Sequence, residues 1–147
     1  MERALAVVEA TEATKNLVRE AAEIASGTGA ELILLYVTSE EEFAEREGEL
    51  HSIPGIDFDY GVASGVEEAE NFARAVGEEV LGEDAEFRAA GRIGDDETEI
   101  LAEARASDVD HIFVHGKQSS PAGKAVFGDL AQSIILNFDG LVTVTTS

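Results

Sequence analysis

The chain has 147 residues, with 31 acidic and 10 basic side chains, so its formal net charge at pH 7 is −21. This length fits a single domain, residues 1–147, and a hydrophobic content of 44% excludes an acidic disordered protein. A surface of this sign also excludes nucleic acid and anionic membranes as general partners.

The first quarter of the chain predicts a strand, a helix and a second strand. Residues 4–8 (ALAVV) and 31–37 (ELILLYV) are apolar runs typical of buried parallel strands. Between them, Thr11 is the expected N-cap of a helix that ends near Gly27 and Gly29. The apolar stripe expected on this helix comprises Leu17, Val18, Ala21, Ala22, Ile24 and Ala25.

The middle of the chain is less regular. Residues 39–62 begin with an acidic stretch and predict a short solvated helix followed by an irregular connection. Residues 66–81 predict a helix, and residues 85–91 (AEFRAAG) predict a third, weaker strand. The inward face expected on this helix comprises Val66, Ala69, Phe72, Ala73, Val76 and Val80.

The last third continues the alternation of strands and helices. A glycine turn leads into a helix that ends near Ala106, and residues 111–115 (HIFVH) predict the fourth strand. A helix over residues 130–136 and a fifth strand over residues 141–146 (LVTVTT) complete the pattern. Such alternation indicates an α/β fold with a parallel sheet covered on both faces.

Ligands of doubly wound sheets bind at the carboxyl ends of the strands. The candidate positions are therefore Glu9, Val37 and His115, after strands one, two and four. Residues 111–138 hold one acid, Asp129, where the overall proportion predicts about six, and two of the three lysines. Either this segment binds an anion at a helix N-terminus, or it is buried or lies in a subunit interface.

The loop in this segment, "HGKQSSPAGKAVFGD", resembles a Walker A loop only superficially. Gln118 and Ala125 replace the first glycine and the magnesium-binding hydroxyl that such a loop requires. Asp129 precedes the predicted helix, and Gln132 follows it at the spacing of a capping box, so Asp129 is expected to be the N-cap.

The chain resembles the universal stress proteins. The similarity lies in "VVEATEATKNLVREAAEIA", in "GRIGDDETEILAEA", and in "HIFVHG" with "GKAVFGDLAQSIILNFDGLVTV". It implies a doubly wound five-stranded parallel sheet of order 3-2-1-4-5, as in adenine nucleotide alpha hydrolase-like folds. It also implies a dimer and a site for ATP or AMP.

The family's nucleotide motif, G-x2-G-x9-G-[ST], aligns its glycines with His115, Gln118 and Gly128 and its hydroxyl with Asp129. The overall spacing is kept, but two of the three glycines and the hydroxyl are replaced, so the resemblance implies a degraded nucleotide loop. The nucleotide-site residues implied are Glu9, Ala10, Val37, Val114, His115, Gly116, Lys117, Gly123, Lys124, Gly128, Asp129 and Leu130.

Other chemistry finds little support in the sequence. The chain has no cysteine, which excludes disulfides and thiolate catalysis. His111 and His115 share a strand face but have no identifiable third metal ligand, so no metal site is expected. Ser119 and Ser120 lack a nucleophile elbow, and the strand ends lack the aspartate cluster of a response-regulator receiver. No catalytic residue is identified, and at most slow ATP hydrolysis is expected.

Two functions follow from the sequence. One is a dimeric stress protein that holds an adenine nucleotide, and the alternative is a dimeric scaffold or signalling module of the same fold without nucleotide. A homodimer is expected through strand 141–146, which has no lysine, proline or acid to prevent edge pairing.

The opening residues 1–10 (MERALAVVEA) contain too short an apolar run for a signal peptide, so a cytoplasmic protein is expected. Only three of the ten basic residues are lysines. An acidic, lysine-poor surface on a folded chain favours a halophilic archaeon as the source, because molar salt screens self-repulsion.

The first testable prediction concerns salt. The folded state is expected to gain stability as KCl rises from about 0.1 to about 2 M, because the Debye length falls severalfold over that range. Thermal unfolding midpoints measured across the series test this expectation. A midpoint that does not move would contradict the interpretation of the surface as halophilic.

Overall fold

Five parallel strands alternate with four helices in the computed structural model, which describes residues 1–39, 61–116 and 129–146. The strands are β1 (Arg3–Val8), β2 (Glu31–Thr38), β3 (Arg88–Ile93), β4 (His111–His115) and β5 (Leu141–Thr145). Every neighbouring pair is parallel, and the order across the sheet is β3-β2-β1-β4-β5. The predicted fold class and strand order are confirmed.

The helices form a layer on each face of the sheet. They are α1 (Ala13–Thr28), α2 (Gly61–Leu81), α3 (Asp96–Ala106) and α4 (Asp129–Asn137). On one face, α1 and α2 pack against Ala4, Ala6 and Val8 of β1. On the other face, α3 and α4 pack against Leu5 and Val7 of the same strand. The central strand is therefore buried on both sides, as expected for a parallel sheet.

Several boundaries differ from the prediction. The third strand is Arg88–Ile93 instead of 85–91, because Phe87 packs into the α1–α2 layer before the strand begins. The helix predicted to start at Val66 already begins at Gly61. The short helix and connection predicted over residues 39–62 fall mostly on residues 40–60, which lie outside the described residues.

Two details predicted for α1 are wrong. Ile24, assigned to the apolar stripe, is 37% exposed. Thr11 is not the N-cap: Glu12 occupies that position and makes no side-chain capping hydrogen bond. The predicted C-terminal stop is confirmed, since Gly29 adopts the left-handed conformation with φ 73°.

Gly91 allows the closest approach of β3 to α2. A Cβ at this position would lie 2.5 Å from the carbonyl oxygen of Val66 and 2.7 Å from the Cβ of Ala69, and would also meet the backbone nitrogen of Glu70. Two of these three atoms belong to the helix backbone, which cannot rotate away as a side chain does. Only glycine therefore fits at this strand–helix contact.

Gly91→Ala is expected to lower the free energy of unfolding by about 2 kcal/mol, because the added methyl forces α2 off the sheet. Gly27→Ala is the control: no atom lies within 4 Å of its Cβ position in α1. There, replacing a helical glycine is expected to raise stability by up to about 1 kcal/mol. Denaturant unfolding of both variants at one salt concentration tests the pair, and equal stabilities would contradict this account of Gly91.

Candidate functional site

The candidate site lies where the carboxyl ends of β1 and β4 meet. After β1 the chain enters α1, which packs on one face of the sheet, whereas α4, which follows β4 in the described part of the chain, packs on the other. The chain thus separates to opposite faces between two adjacent strands. This is the topological switch point at which doubly wound sheets bind ligands.

Strand register brings the predicted positions to one level. Val8 pairs with Tyr36 of β2, and Ala6 pairs with Phe113 of β4. If the registers continued beyond the paired residues, Glu9 would be level with Val37 on one side and with Gly116, the residue after His115, on the other. Because the strands are parallel, the predicted positions Glu9, Val37 and His115 all lie at the carboxyl ends of their strands, on one edge of the sheet.

The loop that follows β1 is held by a hydroxyl group of α1. The backbone N–H of Glu9 donates to Oγ1 of Thr14 at 2.7 Å. The backbone N–H of Thr14 in turn donates to the carbonyl oxygen of Thr11 at 3.2 Å. Thr14 is 3% exposed, Glu9 is half-buried and Ala10 is exposed. The loop is thereby fixed to α1 at the carboxyl end of β1, with Ala10 exposed to solvent.

The ends of β2 and β4 are tied to their neighbours. Gly116 donates its backbone N–H to the carbonyl oxygen of Thr145 at 2.8 Å, and Nδ1 of His115 lies 3.2 Å from Oγ1 of the same threonine. The carbonyl oxygen of Thr38 accepts from the N–H of Gly94 at 2.9 Å. These bonds hold both strand ends beside the crevice.

The side chains of three predicted site residues pack in the hydrophobic core or against it. The side chain of Val114 is fully buried in the α3–α4 layer, so only its backbone is available to a ligand. Val37 and Leu130 are partly buried against the same layer. They can shape the walls of the site but place no polar group in it.

Four other predicted site residues, Lys117, Gly123, Lys124 and Gly128, lie outside the described residues. The helix predicted over residues 130–136 begins one residue earlier, at Asp129. Asp129 is therefore the first helical residue, and the N-cap position predicted for it falls on residue 128, outside the described residues. Lys15, the lysine that is described, pairs with Glu79 at 3.3 Å and with Glu12 at 3.5 Å. The hydrogen bond to Glu79, with the charge of Glu12, raises the pKa of Lys15.

Thr14 and Thr145 were missed by sequence reasoning. Thr14 stands at helical spacing in the stripe of buried residues on α1, which also contains Leu17, Val18, Ala21 and Ala25. A hydroxyl in an otherwise apolar stripe was the available signal, because a buried polar group requires a partner. Thr145 carried no such signal within the alternating residues of β5.

His111 lies at the opposite end of β4 and serves packing. Its Nε2 is 2.7 Å from Oγ1 of Thr143, and its ring stacks on Phe113 with a centroid distance of 4.3 Å. Burial lowers the pKa of His111, with Asp110 acting weakly in the opposite direction. Within residues 1–39, 61–116 and 129–146, no three His, Asp or Glu residues cluster as metal ligands.

A shallow pocket of about 330 Å³ lies at the β3 edge, away from the crevice. Its polar wall is an ion-pair cluster: Nε of Arg92 contacts Oε1 of Glu103 at 2.9 Å, and Nη1 contacts Oε1 of Glu99 at 3.2 Å. Burial acts to raise the pKa of Glu103, but hydrogen bonds from Ser107 and Arg92 outweigh it and lower the pKa. The charges satisfy each other, so the cluster fastens α3 to β3.

Among the described residues, no helix is both long enough and apolar enough to cross a membrane. A parallel sheet of order β3-β2-β1-β4-β5 with helices on both faces defines the doubly wound α/β class. The sequence profile of the universal stress protein family matches residues 1–145. The chain belongs to the universal stress protein family.

Solved structures show the same fold. The universal stress protein UspA from Lactobacillus plantarum is 18% identical, with a TM-score of 0.69 and coverage of 98% of this chain and 97% of that one. The Archaeoglobus fulgidus protein in complex with dAMP is 18% identical, with a TM-score of 0.58 and coverage of 98% and 96%. A universal stress protein in complex with cAMP is 15% identical, with a TM-score of 0.62 and coverage of 99% and 96%. The comparison with curated protein sequences found no match.

Proposed function

We propose that this protein binds an adenine nucleotide, ATP or AMP, in the crevice between β1 and β4. The observation that carries the proposal is the strand order β3-β2-β1-β4-β5, which puts the carboxyl ends of β1 and β4, with Glu9 and His115, side by side at the switch point of the sheet. Members of the same family have been crystallised with dAMP and with cAMP, which supports this class of ligand.

The residues around the crevice suggest how the nucleotide is oriented. Glu9 stands where the family usually has an aspartate toward the nucleoside, and it lies at the end of the central strand. The phosphates are proposed to face the N-terminus of α4, since free backbone N–H groups and the helix dipole favour an anion there. The scarcity of acids over residues 111–138 supports the same orientation.

We propose that the phosphate loop is weakened relative to other family members. His115 replaces the first glycine of the motif and is the last residue of β4. Its φ is negative, since Asp108 is the one non-glycine residue with positive φ in the described part of the chain. The backbone at His115 therefore does not require glycine, and the effect of the replacement is that a side chain takes up space near the ligand. Asp129 adds a carboxylate where a phosphate would lie.

A dimeric scaffold without nucleotide is the second candidate. It is favoured by the two replaced glycines, His115 and Gln118, and by the acid at position 129. Both candidates share the proposed dimer, so binding of ATP is the property that separates them.

We further propose that the dimer forms through β5. Leu141 donates its N–H to the carbonyl oxygen of Asp110, and Thr145 accepts from Gly116, so both turn their backbone groups toward β4. Strand alternation then directs the N–H and C=O groups of Val142 and Val144 away from the sheet. Three exposed apolar side chains lie in the same part of the chain: Ile135, Leu136 and Leu141. The acidic, lysine-poor composition supports assembly at high salt.

Asp129→Ser is expected to raise the affinity for ATP about tenfold, equivalent to about 1.4 kcal/mol of removed repulsion. Both residues have similar helix propensities, so the helix content should not change. Calorimetric titration with ATP at one molar salt concentration measures the effect. Asp139→Ser, which removes the same charge just beyond the other end of α4, is the control and should bind as wild type does. Equal, tight binding by wild type and Asp129→Ser would show that Asp129 serves only the helix terminus.

Val144→Pro is expected to convert the dimer to a monomer. Proline at this position removes an N–H group that points to the free edge of β5, and it leaves the hydrogen bonds between β5 and β4 in place. Val144→Ala is the matched control, since it reduces the same core packing but keeps the N–H. Light scattering in molar KCl should give a monomer mass for the proline variant and a dimer mass for the alanine variant. A monomeric wild type would rule out the interface.

A further inference from the structure

The hydroxyl of Thr14 connects the helix layer to the candidate site. Its Oγ1 accepts the backbone N–H of Glu9, the first residue after β1, at 2.7 Å. The contact spans five residues and closes the loop of residues 9–12 against the first turn of α1. The first residue after β1 is thus fixed by a residue that belongs to the core.

The helix gives this hydroxyl a fixed position. Thr14 is almost fully buried, and Leu17, Val18 and Ala21 hold the following turns of α1 against the sheet without exposure. A β-branched side chain also has few χ1 rotamers available in a helix. The oxygen therefore acts as a rigid acceptor whose position relative to β1 is set by core packing.

The alternative is that Thr14 is only a core residue. A buried threonine in the body of a helix usually donates its hydroxyl to the carbonyl one turn back. Thr14 is the second residue of α1, so the residues one turn back belong to the loop, and its hydroxyl accepts from Glu9 at the end of β1. The bond therefore ties the loop to a helix whose position is set by core packing.

We infer that Thr14 is a positioning residue for the nucleotide: it holds Glu9 and Ala10 in the conformation that faces the crevice. The inference rests on the proposed function. If a ligand binds only when the loop is in this conformation, the apparent affinity equals the intrinsic affinity multiplied by the fraction of molecules whose loop has that conformation. Loss of the hydroxyl should therefore weaken binding without changing the fold.

The test compares Thr14→Val, Thr14→Ala and Thr14→Ser by calorimetric titration with ATP in molar KCl. Valine and alanine remove the acceptor and should weaken affinity about fivefold, equivalent to about 1 kcal/mol, the net value of one hydrogen bond. Serine restores the acceptor and should bind within about twofold of wild type. Thr28→Val is the control, because it removes a hydroxyl that bonds backbone carbonyls at the far end of the same helix.

Hydrogen exchange of the Glu9 amide provides a readout that needs no ligand. The amide should be protected in wild type and in Thr14→Ser, and should exchange faster in the valine and alanine variants while the amides of α1 stay protected. An unprotected Glu9 amide in wild type would overturn the inference directly.

The two possible failures are distinguishable. If wild type binds no ATP, the proposed function fails and the inference fails with it. If wild type binds ATP and the valine and alanine variants bind equally well, the function stands and Thr14 is only a core residue. A loss of affinity shared equally by Thr28→Val would also overturn the inference, because it would reflect a general weakening of α1.

Discussion

The structure depends on the burial of β1 on both faces. Its residues contact α1 and α2 on one side and α3 and α4 on the other, and the strand is flanked by β2 and β4. Helices must therefore leave the sheet in opposite directions from β1 and β4. Topology therefore predicts a crevice between these strand ends, whatever the sequence of the loop that follows β4.

The charge distribution is the second constraint. At a formal charge of −21, an anionic ligand meets repulsion nearly everywhere on this protein, and it can bind only where acids are scarce. The acid-poor stretch of residues 111–138 passes the carboxyl end of the sheet and includes the N-terminus of α4. On the β3 side, by contrast, the carboxylates of Glu99 and Glu103 are paired with Arg92 and serve the attachment of α3.

Buried apolar runs made most of the fold predictable. The fourth strand was predicted at residues 111–115 as found, and the first, second and fifth differ from the structure by one residue at one end. The third strand was displaced because Phe87, apolar but outside the strand, packs beneath Gly77 in the helix layer. As an edge strand with two arginines, β3 lacks the continuous apolar run that marks the interior strands.

The site was only partly predictable. Glu9, Val37 and His115 could be assigned because each lies at or next to the carboxyl end of a strand, and these ends meet at one edge of a parallel sheet. The bond between Glu9 and Thr14 could not, because it depends on the angle at which α1 leaves β1. The angle is set by side-chain packing across the sheet, which no local pattern encodes. The hydrogen bond from the N–H of Gly116 to the carbonyl oxygen of Thr145 could not be predicted either, because it depends on the register of β4 with β5.

The central claim is that the crevice between β1 and β4 binds an adenine nucleotide. The most direct test is the thermal unfolding midpoint in molar KCl with ATP, compared with inorganic triphosphate at equal ionic strength. A ligand that binds only the folded state stabilises it, and about ten times its dissociation constant contributes about 1.4 kcal/mol. We expect a higher midpoint with ATP than with triphosphate. Equal midpoints at saturating concentrations would contradict nucleotide binding in the crevice and favour the alternative candidate, the scaffold without nucleotide.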